Sequence, residues 1–274
     1  MRIPFTKAHG TKNDFLLTWA NEAPRERLTE VARAICDRHT GVGADGWMLV
    51  SPAPPGSGYD GEICLFNADG SAAEISGNGT RCAAAFLVDA GAGGTTLRLK
   101  TATGMRELRM VEHRGLFFHF EMGMGRPTWE DSQVRCDLTL REGSRDVTIV
   151  NVGNPQCALF VENFAFEWQK LGAEIESHPM FPHRTNVSFV RVVDRHTLDV
   201  RFFERGVGET MSSGTGSTGA AWAAALRGLA DSPVRVLTPG GPLDVRWDDS
   251  LYLTGPAEIV AGGEFYFGPS FPEE

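Results

Sequence analysis

Ser76-Gly-Asn-Gly79 and Ser213-Gly-Thr-Gly216 are two copies of one phrase, each followed by two polar or basic positions and a run of alanine and larger apolar residues. A glycine-rich turn that opens a buried helix aims unpaired backbone N–H groups and the positive end of the helix dipole at one point. Such a point seats a carboxylate or a phosphate. With a serine oxygen at the lip of each turn, the pair predicts one small anionic ligand held between two halves. A single turn of this kind is equally well explained by helix packing, and the repetition favours the ligand.

The elements that must position these turns follow from pattern. Residues 3–9 and 15–19 are strand-like runs around Gly10-Thr-Lys-Asn-Asp14, a connector whose turn chemistry by itself accounts for Asn13 and Asp14. Residues 24–36 predict a helix, with Pro24 at an early position and Leu28, Val31, Ala32 and Ile35 on one face. The loop that follows carries Asp37, Arg38, His39 and Asp45, which form either a polar site or, by default, a hydrogen-bonded lock between helix and strand. A strand over 62–66 delivers Asn67 toward the first phrase, and the helix through Ala83, Phe86, Leu87 and Val88 is apolar nearly all round, as befits one enclosed by sheet.

The second half repeats the style. Strands are expected over 146–150, 157–161, 185–190 and 197–203, and a helix near 164–171. Asn151-Val-Gly-Asn-Pro-Gln156 joins the first two strands, and the last feeds Glu204-Arg-Gly-Val-Gly-Glu209 and the second phrase. Many short strands and two central alanine-rich helices predict an α+β fold. We expect two pseudo-symmetric domains over 1–114 and 115–262, each a β-sheet or barrel wrapped around a central helix, with 263–274 a tail returning to the first.

At 274 residues the chain can bury a sizeable core, and its 42% hydrophobic content is that of a globular protein. A net charge of -9 argues against nucleic acid as the main partner, which needs a basic face. The cysteines, Cys36, Cys64, Cys82, Cys136 and Cys157, are odd in number and lack C-x-x-C spacing, so no disulfide framework or zinc knuckle is expected. The start of the chain shows no signal-peptide pattern and no apolar run is long enough to span a membrane, so the expected location is the cytoplasm.

His9-Gly-Thr-Lys-Asn-Asp-Phe15, Asp37-Arg-His-Thr-Gly-Val-Gly-Ala-Asp-Gly46, Phe66-Asn-Ala-Asp-Gly-Ser71, the Gly77-Asn-Gly79 turn, Asn151-Val-Gly-Asn-Pro155 and Glu204-Arg-Gly-Val-Gly-Glu-Thr210 with Gly214-Thr-Gly216 resemble, in that order and spacing, the diaminopimelate epimerase family. The resemblance implies two similar halves with the active site in the cleft between them. It implies inversion of one α-carbon, LL- to meso-2,6-diaminopimelate for lysine and cell-wall precursor synthesis, by two-base proton transfer without metal, pyridoxal phosphate or other cofactor. It also implies a homodimer whose partner molecule is a small amino acid.

Carried over by position, substrate binding falls to Asn13, Asn67, Gly77, Asn78, Asn154, Asn186, Glu204, Arg205, Gly214 and Thr215. Ser76 and Ser213 stand where the family carries its two catalytic cysteines, and Gln156 stands as an auxiliary residue where the family usually has a histidine. A serine hydroxyl needs an adjacent base to act, and no Ser-His or Ser-Lys pairing is evident at either phrase. Glu204 or a bound water is the candidate replacement base. The alternatives are a divergent member, a racemase, dehydratase or isomerase of amino acids or hydroxyproline, and an amino-acid-binding protein without turnover.

Overall fold

The computed structural model describes residues 1–73 and 76–268. Glu74 and Ile75, which precede the first serine turn, and residues 269–274 of the expected tail lie outside the described residues. The chain divides into two compact units, 1–120 with 256–274, and 121–255. The expected boundaries were 114/115 and 262/263. The changeovers between these units lie inside continuous strands, one at Phe120-Glu121 and the other at Gly255-Pro256.

In the first unit, β1 (Arg2–Gly10) and β2 (Asn13–Trp19) form an antiparallel hairpin, and α1 (Leu28–Cys36) carries the chain to β3 (Gly46–Pro52), which lies parallel to β2. β4 (Gly61–Asn67) returns antiparallel and is extended by the short β5 (Ala72–Ala73). Helix α2 (Gly77–Asp89) then crosses to β6 (Thr96–Thr101), parallel to β4 and antiparallel to β7 (Gly104–Arg114). The strand β8 (Phe117–Gly125) leads out of this unit.

In the second unit, α3 (Asp131–Val134) and β9 (Cys136–Leu140) precede the same plan. β10 (Gly143–Asn151) and β11 (Pro155–Phe160) are an antiparallel pair, and α4 (Trp168–Glu176) leads to β12 (Asn186–Asp194), parallel to β11. β13 (Thr197–Glu204) returns antiparallel and is extended by β14 (Gly208–Thr210). Helix α5 (Gly214–Leu226) crosses to β15 (Val234–Leu237), parallel to β13 and antiparallel to β16 (Leu243–Trp247). β17 (Leu251–Tyr266) pairs with β16 and, beyond Pro256, with β1. The fold is α+β, with one plan written twice.

Each central helix packs against strands of its own unit. α2 packs on β1, β2, β3, β4 and β6, and α5 on β10, β11, β12, β13, β15 and β16. Alanine and glycine make this possible, because strands can approach the helix backbone closely. At Gly216 an added Cβ would lie 2.7 Å from the Phe202 ring, and at Gly219 it would lie 2.8 Å from Gln156 Cγ. The apolar wall around α5 includes Val190, Val200, Phe202, Val236, Val245 and Leu253, all buried. Full burial of each such side chain is worth roughly 1.5–3 kcal/mol.

The outer helices start later than patterning predicts. α1 begins at Leu28, because Arg27 is left-handed at φ 64 and breaks any turn from Pro24. Its buried stripe is Val31, Ala32, Ile35 and Cys36, packed on Ile3, Leu16 and Trp47. α4 begins at Trp168, not near 164, because the Asn163 side chain accepts a hydrogen bond from the Ala165 N–H and holds a turn there.

Candidate active site

Both serines cap their helices in nearly the same geometry. Ser76 has φ -130 and ψ 121, and its Oγ accepts from the Gly79 N–H at 3.0 Å. Ser213 has φ -136 and ψ 123, and its Oγ accepts from the Gly216 N–H at 3.1 Å. Extended backbone at the cap leaves the next N–H groups pointing outward, at Gly77 and Asn78 in one helix and Gly214 and Thr215 in the other. What surrounds the two caps differs.

In the first unit the hairpin turn brings Asn13 to the start of α2. Thr11 and Lys12 are both left-handed, at φ 51 and 65, a two-residue turn that usually takes Asn-Gly. A β-branched residue there is strained by roughly 1–2 kcal/mol, and the strain sits two residues from Asn13. Asn78 Nδ2 donates to Asn13 Oδ1 at 3.2 Å, and Asn13 Nδ2 donates to Asp45 Oδ2 at 2.7 Å. Arg38 bridges Asp14 and Asp45, both at 2.7 Å, and Lys7 lies 3.0 Å from Asp14. Burial works to raise the Asp14 carboxyl, but Arg38 and Lys7 override it and hold it below the usual carboxylate range.

The polar loop is hydrogen-bonded within itself and to the hairpin. Asp37 Oδ1 accepts from the backbone N–H groups of His39 and Thr40 and locks the loop, whereas Arg38 and Asp45 reach Asn13 and its neighbour. Asn67 is exposed and donates to Ser71 Oγ. Its backbone pairs with Gly46, which sets it beside Asp45, but among the described residues no hydrogen bond ties its side chain to Asn13, Ser76 or Asn78.

Sequence reasoning missed Arg81. It is wholly buried in the first turns of α2, donating to Asn78 Oδ1 at 2.6 Å, Pro256 O at 3.1 Å and Gly77 O at 3.4 Å. Among the described residues it makes no ion pair with a carboxylate, and burial pulls its guanidinium down to about 10, still charged at neutral pH. Gly10 makes room for it, since a Cβ there would lie 3.1 Å from Arg81 Nη2. The signal was available, because an arginine in a helix with no polar face has nowhere to go but inside.

In the second unit a carboxyl meets the capping serine itself. Ser213 Oγ donates to Glu204 Oε2 at 2.9 Å, and Thr210 Oγ1 donates to Glu204 Oε1 at 2.6 Å. Burial pushes the Glu204 carboxyl above its usual range, against the two hydroxyls that favour its charged form. The sequence showed no Ser-His or Ser-Lys pair, and the structure supplies a serine–carboxyl pair instead. Thr210 was not singled out beforehand.

The remaining candidates of this unit flank that pair. Asn154 Nδ2 donates to Thr215 Oγ1 at 3.3 Å, and Gln156 Nε2 donates to Asn154 Oδ1 at 2.7 Å. Gln156 is buried and its Oε1 has no partner among the described residues. Asn186 Oδ1 accepts from the Arg205 N–H at 3.0 Å, and buried Glu176 accepts from the Gly206 N–H at 3.0 Å, so the Glu204 loop is pinned on both sides. The Arg205 side chain is exposed and reaches His183 O at 3.3 Å. A hydroxyl with a raised carboxyl behind it can pass a proton, and both helix starts can stabilise developing negative charge.

Among the described residues no group of three or more His, Cys, Asp or Glu side chains is arranged to hold a metal ion, and no helix is long and apolar enough to cross a membrane. All five cysteines are free thiols.

Comparison with known proteins bears on what this arrangement is for. The family model described as Diaminopimelate epimerase matches residues 5–130 and 148–260. The diaminopimelate epimerase of Nostoc punctiforme is 39% identical over 282 residues, covering 96% of this chain and 100% of that one. That of Synechococcus elongatus is 40% identical over 277 residues, covering 96% and 98%. The crystal structure of a phenazine biosynthesis protein of the PhzF family from Bacillus anthracis shares the fold, with a TM-score of 0.73 at 16% identity, covering 97% of this chain and 100% of that one. With a family model matching most of its length and relatives near two-fifths identity end to end, this chain belongs to the diaminopimelate epimerase family.

Proposed function

We propose that the chain carries out the family reaction, epimerisation of diaminopimelate at one α-carbon, with Glu204 and Ser213 as its acid/base pair. The observation that carries the reading is the 2.9 Å hydrogen bond from Ser213 Oγ to Glu204 Oε2. In the forward step the α-C–H bond breaks and its proton goes to Ser213 Oγ as the Ser213 proton passes to Glu204. The electron pair stays on the α-carbon, where backbone N–H groups and the helix dipoles stabilise it. Ser76 returns a proton to the carbon. The alkoxide it leaves is eased by the Gly79 N–H and takes a proton from water, while Glu204 releases its proton to water, so that both serines and the carboxylate are restored.

Substrate contacts are assigned to Asn13, Asn67, Gly77, Asn78, Asn154, Asn186, Arg205, Gly214 and Thr215. Support comes from the family motifs and from the hydrogen bonds that tie most of these residues to the two helix starts. The same reading includes a cofactor-independent reaction and a homodimer in the cytoplasm, without nucleic acid or membrane as partner, in keeping with the family and with the net charge of -9.

A second reading is favoured by one observation: among the described residues, no titratable side chain hydrogen-bonds to Ser76 Oγ. Proton traffic through the Glu204 side alone gives exchange with retention or double-bond migration, and no traffic at all leaves an amino-acid-binding protein. Thermal protection by diaminopimelate tests the substrate, and its absence with every stereoisomer defeats the assignment. The double change Ser76→Cys with Ser213→Cys is expected to raise deuterium incorporation at the α-carbon, because a thiol ionises near about pH 8.5 and a hydroxyl far higher.

A further inference from the structure

The first unit contains a hydrogen-bond chain with a charge at each end. Arg81 Nη2 donates to Asn78 Oδ1, Asn78 Nδ2 donates to Asn13 Oδ1, and Asn13 Nδ2 donates to Asp45 Oδ2, at 2.6, 3.2 and 2.7 Å. The oxygen and nitrogen of an amide side chain can exchange places by a flip. Here they cannot do so cheaply. A guanidinium only donates and a carboxylate only accepts, so flipping Asn78 sets N–H against N–H, and flipping Asn13 sets oxygen against oxygen.

We propose that Arg81 and Asp45 are positioning residues that lock the amide polarity of Asn78 and Asn13, so that each asparagine presents its remaining N–H to an acceptor atom of the ligand. The inference rests on the reading that these asparagines meet diaminopimelate. Two further observations support it. Arg81 is fully buried without a carboxylate partner among the described residues, an expensive arrangement for a charge. Asp45 is itself held still, by Arg38 at 2.7 Å and by the Asp14 N–H at 3.2 Å. In the other unit the corresponding chain, Gln156 to Asn154 to Thr215, has neutral ends and can invert as a whole, since a hydroxyl both donates and accepts.

Paired substitutions separate polarity from packing. Arg81→Lys keeps a donor-only group and Arg81→Gln does not, while Asp45→Glu keeps an acceptor-only group and Asp45→Asn does not. By calorimetry with diaminopimelate, the flippable member of each pair should bind about tenfold more weakly than its partner, the size of one lost hydrogen bond. Equal affinity within each pair overturns the proposal, and so does a loss that merely follows Tm. Should the Arg81 variants not fold, the Asp45 pair, at the exposed end of the chain, carries the test.

Side-chain amide NMR of the unliganded protein reads the lock without any ligand. The wild type should show one set of Asn78 and Asn13 NH2 signals, with a coupling across the hydrogen bond from Asn78 Nδ2 to Asn13, and Asp45→Asn should double that set. Unchanged spectra in Asp45→Asn overturn the proposal. If the wild type binds no diaminopimelate stereoisomer, the substrate reading fails, and these spectra still decide for or against the lock.

Discussion

The starts of α2 and α5 share a serine cap of almost identical backbone geometry, yet one is underlain by a buried guanidinium and the other by a carboxyl whose proton is held tightly. The repeated plan of strands and helices explains the likeness, since a parallel crossover into an enclosed helix demands small residues and a capped turn in both units. It does not explain the difference. That comes from side chains on neighbouring elements: Asn13 and Asp45 from the hairpin and loop of the first unit, Glu204 and Thr210 from the strand ends of the second. One start has a buried positive charge hydrogen-bonded to its first turn, and the other has a titratable carboxyl on its capping hydroxyl.

The comparison breaks most visibly at Glu204. Glu204→Gln should lower α-proton exchange by roughly 10²–10⁴-fold, the usual worth of a general acid/base, measured as deuterium uptake into diaminopimelate. Next in size is packing at the caps. Gly216→Ala drives a methyl to 2.7 Å from the rigid Phe202 ring and should cost roughly 1–3 kcal/mol in denaturant unfolding. Gly79→Ala meets the flexible Met48 methyl at 2.8 Å and gains helix propensity, so its cost should stay under about 1 kcal/mol. Equal losses would mean that the two helices are enclosed alike.

The titration of the two units should also run in opposite senses. Glu204 is raised in the folded chain, so the stability it contributes is complete below its unfolded value of 4.5 and is lost as pH rises through the folded value. Asp14 is lowered, so its contribution is present above the unfolded value and is lost as pH falls through the folded one. Glu204→Gln should therefore raise Tm relative to wild type at about pH 8 and lose that advantage near about pH 4. Ser76→Ala should cost about 1 kcal/mol for a lost cap, or roughly 2–4 °C in Tm. Ser213→Ala should cost more at neutral pH, because it also strips a donor from the Glu204 carboxylate.

Much of this was legible in the residues. The alternation of short strands, the two glycine turns and the helices after them followed from periodicity, and the ordered motifs pointed to the family. Helix starts at Leu28 and Trp168 were not legible, because a left-handed Arg27 and an Asn163 turn are local choices that apolar spacing does not record. Nor was the Ser213–Glu204 bond, which spans nine positions and depends on β13 and β14 folding back beside α5. Arg81 was overlooked because it was read as one of two polar or basic positions after the turn instead of as a charge in an apolar helix. Asn67 was placed by motif, and the structure gives its side chain a local partner, Ser71.

The central claim is that a serine backed by a carboxyl can take the α-proton of diaminopimelate. Incubating the unaltered chain with LL-diaminopimelate in deuterated water tests it most directly. The account predicts deuterium at the α-carbon together with the meso isomer, at a rate that rises as the Glu204 carboxyl ionises. Diaminopimelate that binds and protects the fold yet keeps its α-protium would contradict it.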